Sequence, residues 1–257
     1  MGKFDGKVVL VTGAAGGIGK EFVKKVVDEG ASVSLVDVNI EALKNVEKEL
    51  GLSEERVLSV AADVSKEEDV KNYVEKTVDK FGKIDGFFNN AGVEGKYAPV
   101  EQYPTEVFDF VLNVNVRGVF LGLKYVIPVM KRQGKGTVVN TASVAGLMGA
   151  PGMIAYNTSK HAVIGMTRVV AAEVAEHGIR INALAPGVIN TRMMRQIEEN
   201  TSPGAAKEVE KAYAESVPMK RYGNPDEVAN VALFLLSDDS SYVTSSIYTV
   251  HGGLLQQ

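Results

Sequence analysis

Short runs of apolar, mostly β-branched residues alternate along the chain with stretches whose apolar positions recur at helical spacing. Residues 7–12 (KVVLVT) read as a strand buried on both faces. Across 17–30, Ile18, Phe22, Val23, Val26 and Val27 share one helical face, with Lys20, Lys24 and Lys25 outside it. Gly30 ends that helix, and 32–37 (SVSLVD) form the next strand. The same alternation predicts helix 40–50, strand 56–61, helix 66–81, strand 84–89, helix 104–132, strand 136–142, helix 153–177 and strand 179–184. A helix at 225–236 precedes a last strand near 246–250.

Continuously apolar strands separated by helices imply a parallel sheet covered on both faces. Right-handed crossovers then give an α/β fold, a single Rossmann-type doubly wound sheet of about seven strands. No linker or compositional break divides residues 1–257, so one domain is expected. The stretch from about 190 to 220 is polar and poorly periodic and holds Pro203-Gly204; it reads as a loop leaving the sheet, where a substrate lid would sit.

Composition narrows the function classes. The chain has 257 residues, 28 Lys and Arg against 32 Asp and Glu, and a net charge of −4, which gives no pull on a nucleic-acid backbone. It has no cysteine, and His161, His177 and His251 share no ligand spacing, so thiolate chemistry is excluded and no metal site is expected. No uninterrupted apolar run approaches the ~18 residues of a membrane span, and residues 1–7 run into the first strand without a signal sequence. A soluble cytoplasmic protein is expected.

After the first strand comes Thr12-Gly-Ala-Ala-Gly-Gly-Ile-Gly19, which opens the first helix. Its glycines, Gly13, Gly17 and Gly19 with Ile18 between, permit a tight turn and close backbone approach, and the helix N-terminus suits a pyrophosphate. Asp37 closes the second strand 18 residues after Gly19, near the ~20 expected of an acid that binds the adenosine ribose. A carboxylate there accepts both ribose hydroxyls and repels a 2′-phosphate. Ala14, Ala15 and Val38 offer no compensating positive charge, so NAD(H) is favoured over NADP(H).

Tyr156 and Lys160 stand at i and i+4 on one helical face, the chain's only such Tyr–Lys spacing. A phenol of pKa ~10 falls short of ionising at neutral pH by ~4 kcal/mol, and an ammonium ~4 Å away at an effective dielectric of ~20 offers an interaction of that order. The pair therefore makes a usable general acid and base. With the glycine cradle, Asp63-Val64, Asn89-Asn90-Ala91-Gly92, Asn115, Ser143, and Pro186-Gly187 with Thr191, the chain resembles the short-chain dehydrogenase/reductase family essentially end to end.

That resemblance implies the following roles. Tyr156 is the general acid in reduction and the base in oxidation, and Ser143 hydrogen-bonds the substrate oxygen. Lys160 lowers the pKa of Tyr156 and holds the nicotinamide ribose, while Asn115 anchors a water in the proton relay. Asp63 and Val64 contact adenine; Asn90, with Ala91 and Gly92, lines the cofactor cleft; Pro186, Gly187, Ile189 and Thr191 fix the nicotinamide. The chain departs from the family at His251, where an aspartate commonly precedes the last glycine pair, and at Ser245, where glycine is usual.

Helix 153–177 is apolar around most of its circumference, more than one sheet face covers, so its outer side is expected to pack on another subunit, as in the family's common homotetramers. Val144, Leu147, Met148, Met153, Met193 and Met194 are candidate pocket residues for an apolar secondary alcohol or ketone, with the loop 94–99 as a rim. Within the family the texture is closest to NAD-dependent cyclic alcohol and ketone dehydrogenases of the levodione reductase type. The alternatives are a 3-oxoacyl-[acyl-carrier-protein] reductase and a non-catalytic NAD-binding sensor; Asp37 speaks against the first, and the complete Asn115, Ser143, Tyr156 and Lys160 set against the second.

Overall fold

The computed structural model describes residues 2–255. Seven parallel strands, β1 (Val8–Thr12), β2 (Ser32–Asp37), β3 (Val57–Ala61), β4 (Gly86–Asn89), β5 (Gly136–Thr141), β6 (Ile179–Pro186) and β7 (Ile247–Val250), form one sheet in the order 3-2-1-4-5-6-7. Its faces are covered by α1 (Gly17–Asp28), α2 (Ile40–Leu50) and α9 (Pro225–Leu236) on one side, and by α3 (Glu67–Phe81), α5 (Gly118–Gln133) and α6 (Ile154–Val174) on the other. Successive strand residues point to opposite faces, which divides the core. Leu10, Phe87 and Val138 join the α3–α5–α6 side, whereas Val9, Val11, Phe88 and Val139 join the α1–α2–α9 side.

The chain runs outward from β1 to β3 and then returns to β4 on the other side of β1. The strand order therefore reverses between β1 and β4, which opens a crevice at their carboxyl ends.

Two segments differ from the sequence reading. The expected helix 104–132 is α4 (Thr105–Leu112), a π turn over Asn113–Arg117, and α5. The stretch Thr105–Gln133 is long and apolar enough to cross a membrane by length and composition, contrary to the reading from uninterrupted runs, but half of its most apolar 18-residue window is buried inside the protein, where the stretch packs on neighbouring helices and the sheet. The expected loop at 190–220 contains two helices, α7 (Arg192–Thr201) and α8 (Ala206–Ser216). Its helicity is hard to read because α8 buries no residue fully and α7 buries only Met194, Ile197 and Glu198.

Arg180 fastens the last strand. Its guanidinium donates to the carbonyls of Leu235 and Val243 at 3.1 Å each and to Ser237 at 2.9 Å, which closes the end of α9 onto the segment leading to β7. Just beyond, Ser245 holds φ at 61°, the left-handed region that glycine fills without penalty, while its N–H donates to the Ile181 carbonyl at 2.7 Å. Ser245→Gly is expected to raise unfolding stability by roughly 1 kcal/mol as that strain is released, read from urea midpoints at unchanged slope.

Candidate active site

The crevice is built first from backbone. Gly13 has φ 64°, and a Cβ there would press on the Ala91 Cα at 3.0 Å; a Cβ at Gly19 would land well inside contact distance of the Gly13 carbonyl. The loop after β1 is therefore packed as tightly as a backbone allows, with the start of α1 facing the crevice. Thr12 ties the two strand ends together, its Oγ1 accepting from the N–H groups of Asn90 at 3.0 Å and Ala91 at 3.1 Å. Asn90 continues the wall: its Nδ2 donates to the carbonyls of Thr12 at 3.2 Å and Gly13 at 3.4 Å, and its Oδ1 accepts from Thr141 at 3.1 Å. The sequence marked Asn90 as lining the cleft, whereas Thr12, fully buried, did not stand out as a staple.

Asp37 lies at the end of β2, its carboxylate accepting from the N–H groups of Ala15 and Asn39 at 3.2 Å each, which places it beside the glycine loop. Asp63 is turned into its own loop, with Oδ1 taking hydrogen bonds from the Ser65 N–H at 3.0 Å and hydroxyl at 2.7 Å. Val64 is buried against Gly118 at the start of α5. On the far rim, Pro186 and Gly187 end and follow β6, with His251 packed on Gly187. Ile189 is buried with the α1–α9 side of the core, and Thr191 caps α7 while its methyl faces Gly17. These residues meet around one crevice although they are scattered over 180 positions of sequence.

Lys160 is 3% exposed, donates to the Thr141 carbonyl at 2.8 Å and stands 5.5 Å from the centre of the Tyr156 ring. Burial pulls its ammonium down to about 8. The neighbouring phenol does not show the acidification expected from the sequence. Burial pushes Tyr156 above the usual phenol range, the Glu94 carboxylate adds to this, and only hydrogen bonding from Ser143 opposes it. The difference is physical: the ammonium lies over the ring and is spent on a carbonyl, so it does not reach the hydroxyl.

Ser143 is buried at the end of β5. Its hydroxyl donates to the Pro186 carbonyl at 3.4 Å and accepts from the Ala145 N–H at 3.2 Å, capping a 3-10 turn at Val144–Gly146. Asn115 is brought inward by the π turn, a device that re-aims one side chain from a helix. Its amide exchanges two 2.8 Å hydrogen bonds with the backbone of Val93 and donates to Ser159 at 3.0 Å; Ser159 in turn donates to the Tyr156 carbonyl at 2.7 Å. Gly92 fits between Asn115 and Lys160. The four expected catalytic residues thus converge.

The expected pocket residues separate. Leu147 and Met148 are each 40% exposed, and Val144 is half-buried at the mouth of the site. Met153 meets Glu94, Ile197 and Asn200 around a small cavity. Met193 and Met194 pack with Val188, Ile197 and Val217 under α7, and Met153 is packed against the same cluster. Glu94, read only as part of a rim, is half-buried and acts on Tyr156; burial raises its pKa, and Arg192 opposes this. A lone acid in a polar loop reads as solvated, and only the folded chain shows otherwise. Among the described residues, no three His, Cys, Asp or Glu side chains gather as metal ligands.

Residues 13–255 match a family model described as enoyl-(acyl carrier protein) reductase. The chain is 44% identical to levodione reductase of Leifsonia aquatica over 98% of its own length and 95% of that protein's. A crystal structure of levodione reductase superposes with a TM-score of 0.95, covering 97% of this chain and 98% of that one. A 3-oxoacyl-[acyl-carrier-protein] reductase of Thermotoga maritima is 41% identical, covering 98% and 99% of the two chains. NAD+-bound xylitol dehydrogenase, 42% identical, superposes with a TM-score of 0.91 over 98% of this chain and 100% of that one.

The buried Lys160 sets a pH dependence. Its folded pKa of about 8 lies below the ordinary 10.5, so its ionisation opposes folding below pH 8 and the cost is relieved as pH rises toward 10.5. Lys160→Met is therefore expected to be more stable than the parent at pH 7, by up to about 3 kcal/mol, with the advantage shrinking between pH 8 and 10.5 in parallel denaturation series.

Proposed function

The chain belongs to the short-chain dehydrogenase/reductase family, and from that premise we propose that it is an NAD-dependent dehydrogenase of secondary alcohols and ketones with Tyr156 as general acid and base. The observation that carries this reading is the meeting of Tyr156, Ser143 and Lys160 at the carboxyl end of the sheet, beside the glycine cradle.

The dinucleotide fits the residues present. Gly13, Gly17 and Gly19 let the loop after β1 close tightly on the start of α1, where a pyrophosphate would sit; Asp37 would take the ribose hydroxyls, Asp63 and Val64 would contact adenine, and Asn90, Ala91 and Gly92 would line the cleft. Lys160, Pro186, Gly187, Ile189 and Thr191 would hold the nicotinamide half. When bound, it supplies or takes the hydride. The protein's own task is the proton at the substrate oxygen. Ser143, its hydroxyl hydrogen turned from the Pro186 carbonyl, would donate to that oxygen, and Tyr156, its pKa raised by burial, holds its proton at neutral pH and would deliver it during reduction. Oxidation needs the phenolate, which the Ser143 hydrogen bond favours.

The mouth combines Val144, Leu147, Met148 and Met153 with one carboxylate, Glu94, so an alicyclic or polyhydroxylated secondary alcohol suits it better than a plain hydrocarbon chain. The named relatives, levodione reductase and xylitol dehydrogenase, bracket that class. The Thermotoga relative favours a second reading, a 3-oxoacyl-[acyl-carrier-protein] reductase, which the Asp37 carboxylate disfavours through its repulsion of a 2′-phosphate.

Large apolar side chains remain exposed on neighbouring helices, Phe110 on α4, Phe120 on α5, and Ile154 and Val169 on α6, and a homotetramer would cover them. Light scattering at micromolar protein is expected to give a mass several times 27.5 kDa; a purely monomeric species refutes the assembly.

Activity with NADH across a panel of cyclic and linear ketones tests the main reading. At least tenfold preference for NADH over NADPH is expected, and the reverse preference overturns the cofactor choice. Tyr156→Phe is expected to lose at least a thousandfold in kcat while NADH binding, followed by fluorescence, stays within threefold.

A further inference from the structure

Asn157 follows Tyr156 on α6, yet its side chain is turned inward and 8% exposed. Its Nδ2 donates to the carbonyls of Ala145 at 3.1 Å and Met148 at 2.7 Å. Both partners are acceptors only, so the amide has one usable orientation, with its –NH2 end toward them. Its Oδ1 is buried without a partner, so the pair of donors is what the position provides.

The two carbonyls bracket the turn that begins at Ser143. Among the described residues, Asn157 and Ser143 itself are the side chains that hydrogen-bond residues 144–148. One turn further along α6, the Lys160 carbonyl lies so close to Gly146 that no side chain fits there. The segment carrying Ser143, Val144, Leu147 and Met148 is thereby fixed to the helix that carries Tyr156 and Lys160.

We infer that Asn157 is a positioning residue, which sets Ser143 and the pocket mouth against Tyr156 by tethering the 144–148 segment to α6 through its two amide hydrogens. This rests on the oxidoreductase reading above. It separates cleanly from a packing role. Aspartate has nearly the same shape as asparagine, so packing alone predicts that Asn157→Asp is tolerated better than Asn157→Ala. A double-donor role predicts that aspartate, which turns a carboxylate toward two carbonyls, is at least as damaging.

The test uses the full chain as parent, N157A and N157D, with three measurements: amide hydrogen exchange of the peptide covering 143–148, NADH affinity by fluorescence, and kcat with NADH and the best ketone of the panel. Both variants are expected to exchange that peptide at least tenfold faster and to lose at least tenfold in kcat, N157D no less than N157A, with NADH affinity within threefold of the parent. An N157D protein whose exchange or kcat stays within twofold of the parent overturns the inference, as does N157A with unchanged exchange should N157D not fold. A parent that reduces no ketone refutes the oxidoreductase reading instead, and the exchange comparison still decides the tether.

Discussion

An ammonium group held away from water at the end of a parallel sheet must be paired closely or lose its charge, and Lys160 imposes that constraint on everything around it. It is satisfied by the Thr141 carbonyl at 2.8 Å and by the face of the Tyr156 ring. Reaching that carbonyl draws α6 against the end of β5, which leaves room only for glycine at position 146 and little space at Gly92. The same approach brings Ser159 to Asn115, so the π turn, the loop after β4 and the catalytic helix are one hydrogen-bonded unit. The chemistry is placed by this packing more than by the four side chains singly.

Burial biases both ionisable partners toward neutrality, lowering the ammonium and raising the phenol. A phenol that keeps its proton at neutral pH is a ready donor to a carbonyl oxygen, and its deprotonation for the reverse direction depends on what surrounds the hydroxyl. Ser143 favours the phenolate and Glu94 disfavours it. These two groups differ in how firmly they are held: Ser143 caps its own turn, while Glu94 sits on a loop.

Much of this was legible in the chain. Strands buried on both faces leave continuous apolar runs, which gave all seven strands, and the spacing of Gly13, Gly19 and Asp37 placed the crevice at the first strand. What escaped has a common cause. The π turn at Asn113–Arg117 keeps the apolar rhythm of a continuous helix and betrays itself only by where Asn115 points. Glu94, Thr12 and Asn157 are polar residues whose importance lies in contacts across long sequence separations or to backbone carbonyls, and periodicity carries no record of either.

The 190–220 excursion shows the same limit from the other side. Its polarity read as a loop, yet polar contacts help hold it beside the apolar cluster under α7. Glu198, 1% exposed, accepts from the Tyr222 hydroxyl at 2.8 Å and pairs with Arg195 at 3.0 Å, and Arg195 also reaches Glu210 of α8 at 2.8 Å. Glu198 is the buried member of this network, Arg195 and Glu210 being partly exposed, so loss of Arg195 would leave an uncompensated buried carboxylate. The network binds α7, α8 and the segment around Tyr222 to one another. Thr191 joins that group to the glycine cradle, with its hydroxyl capping α7 and its methyl against Gly17. The polar residues that hid the helices from a periodicity reading thus help join α7 and α8 to the glycine cradle through Thr191.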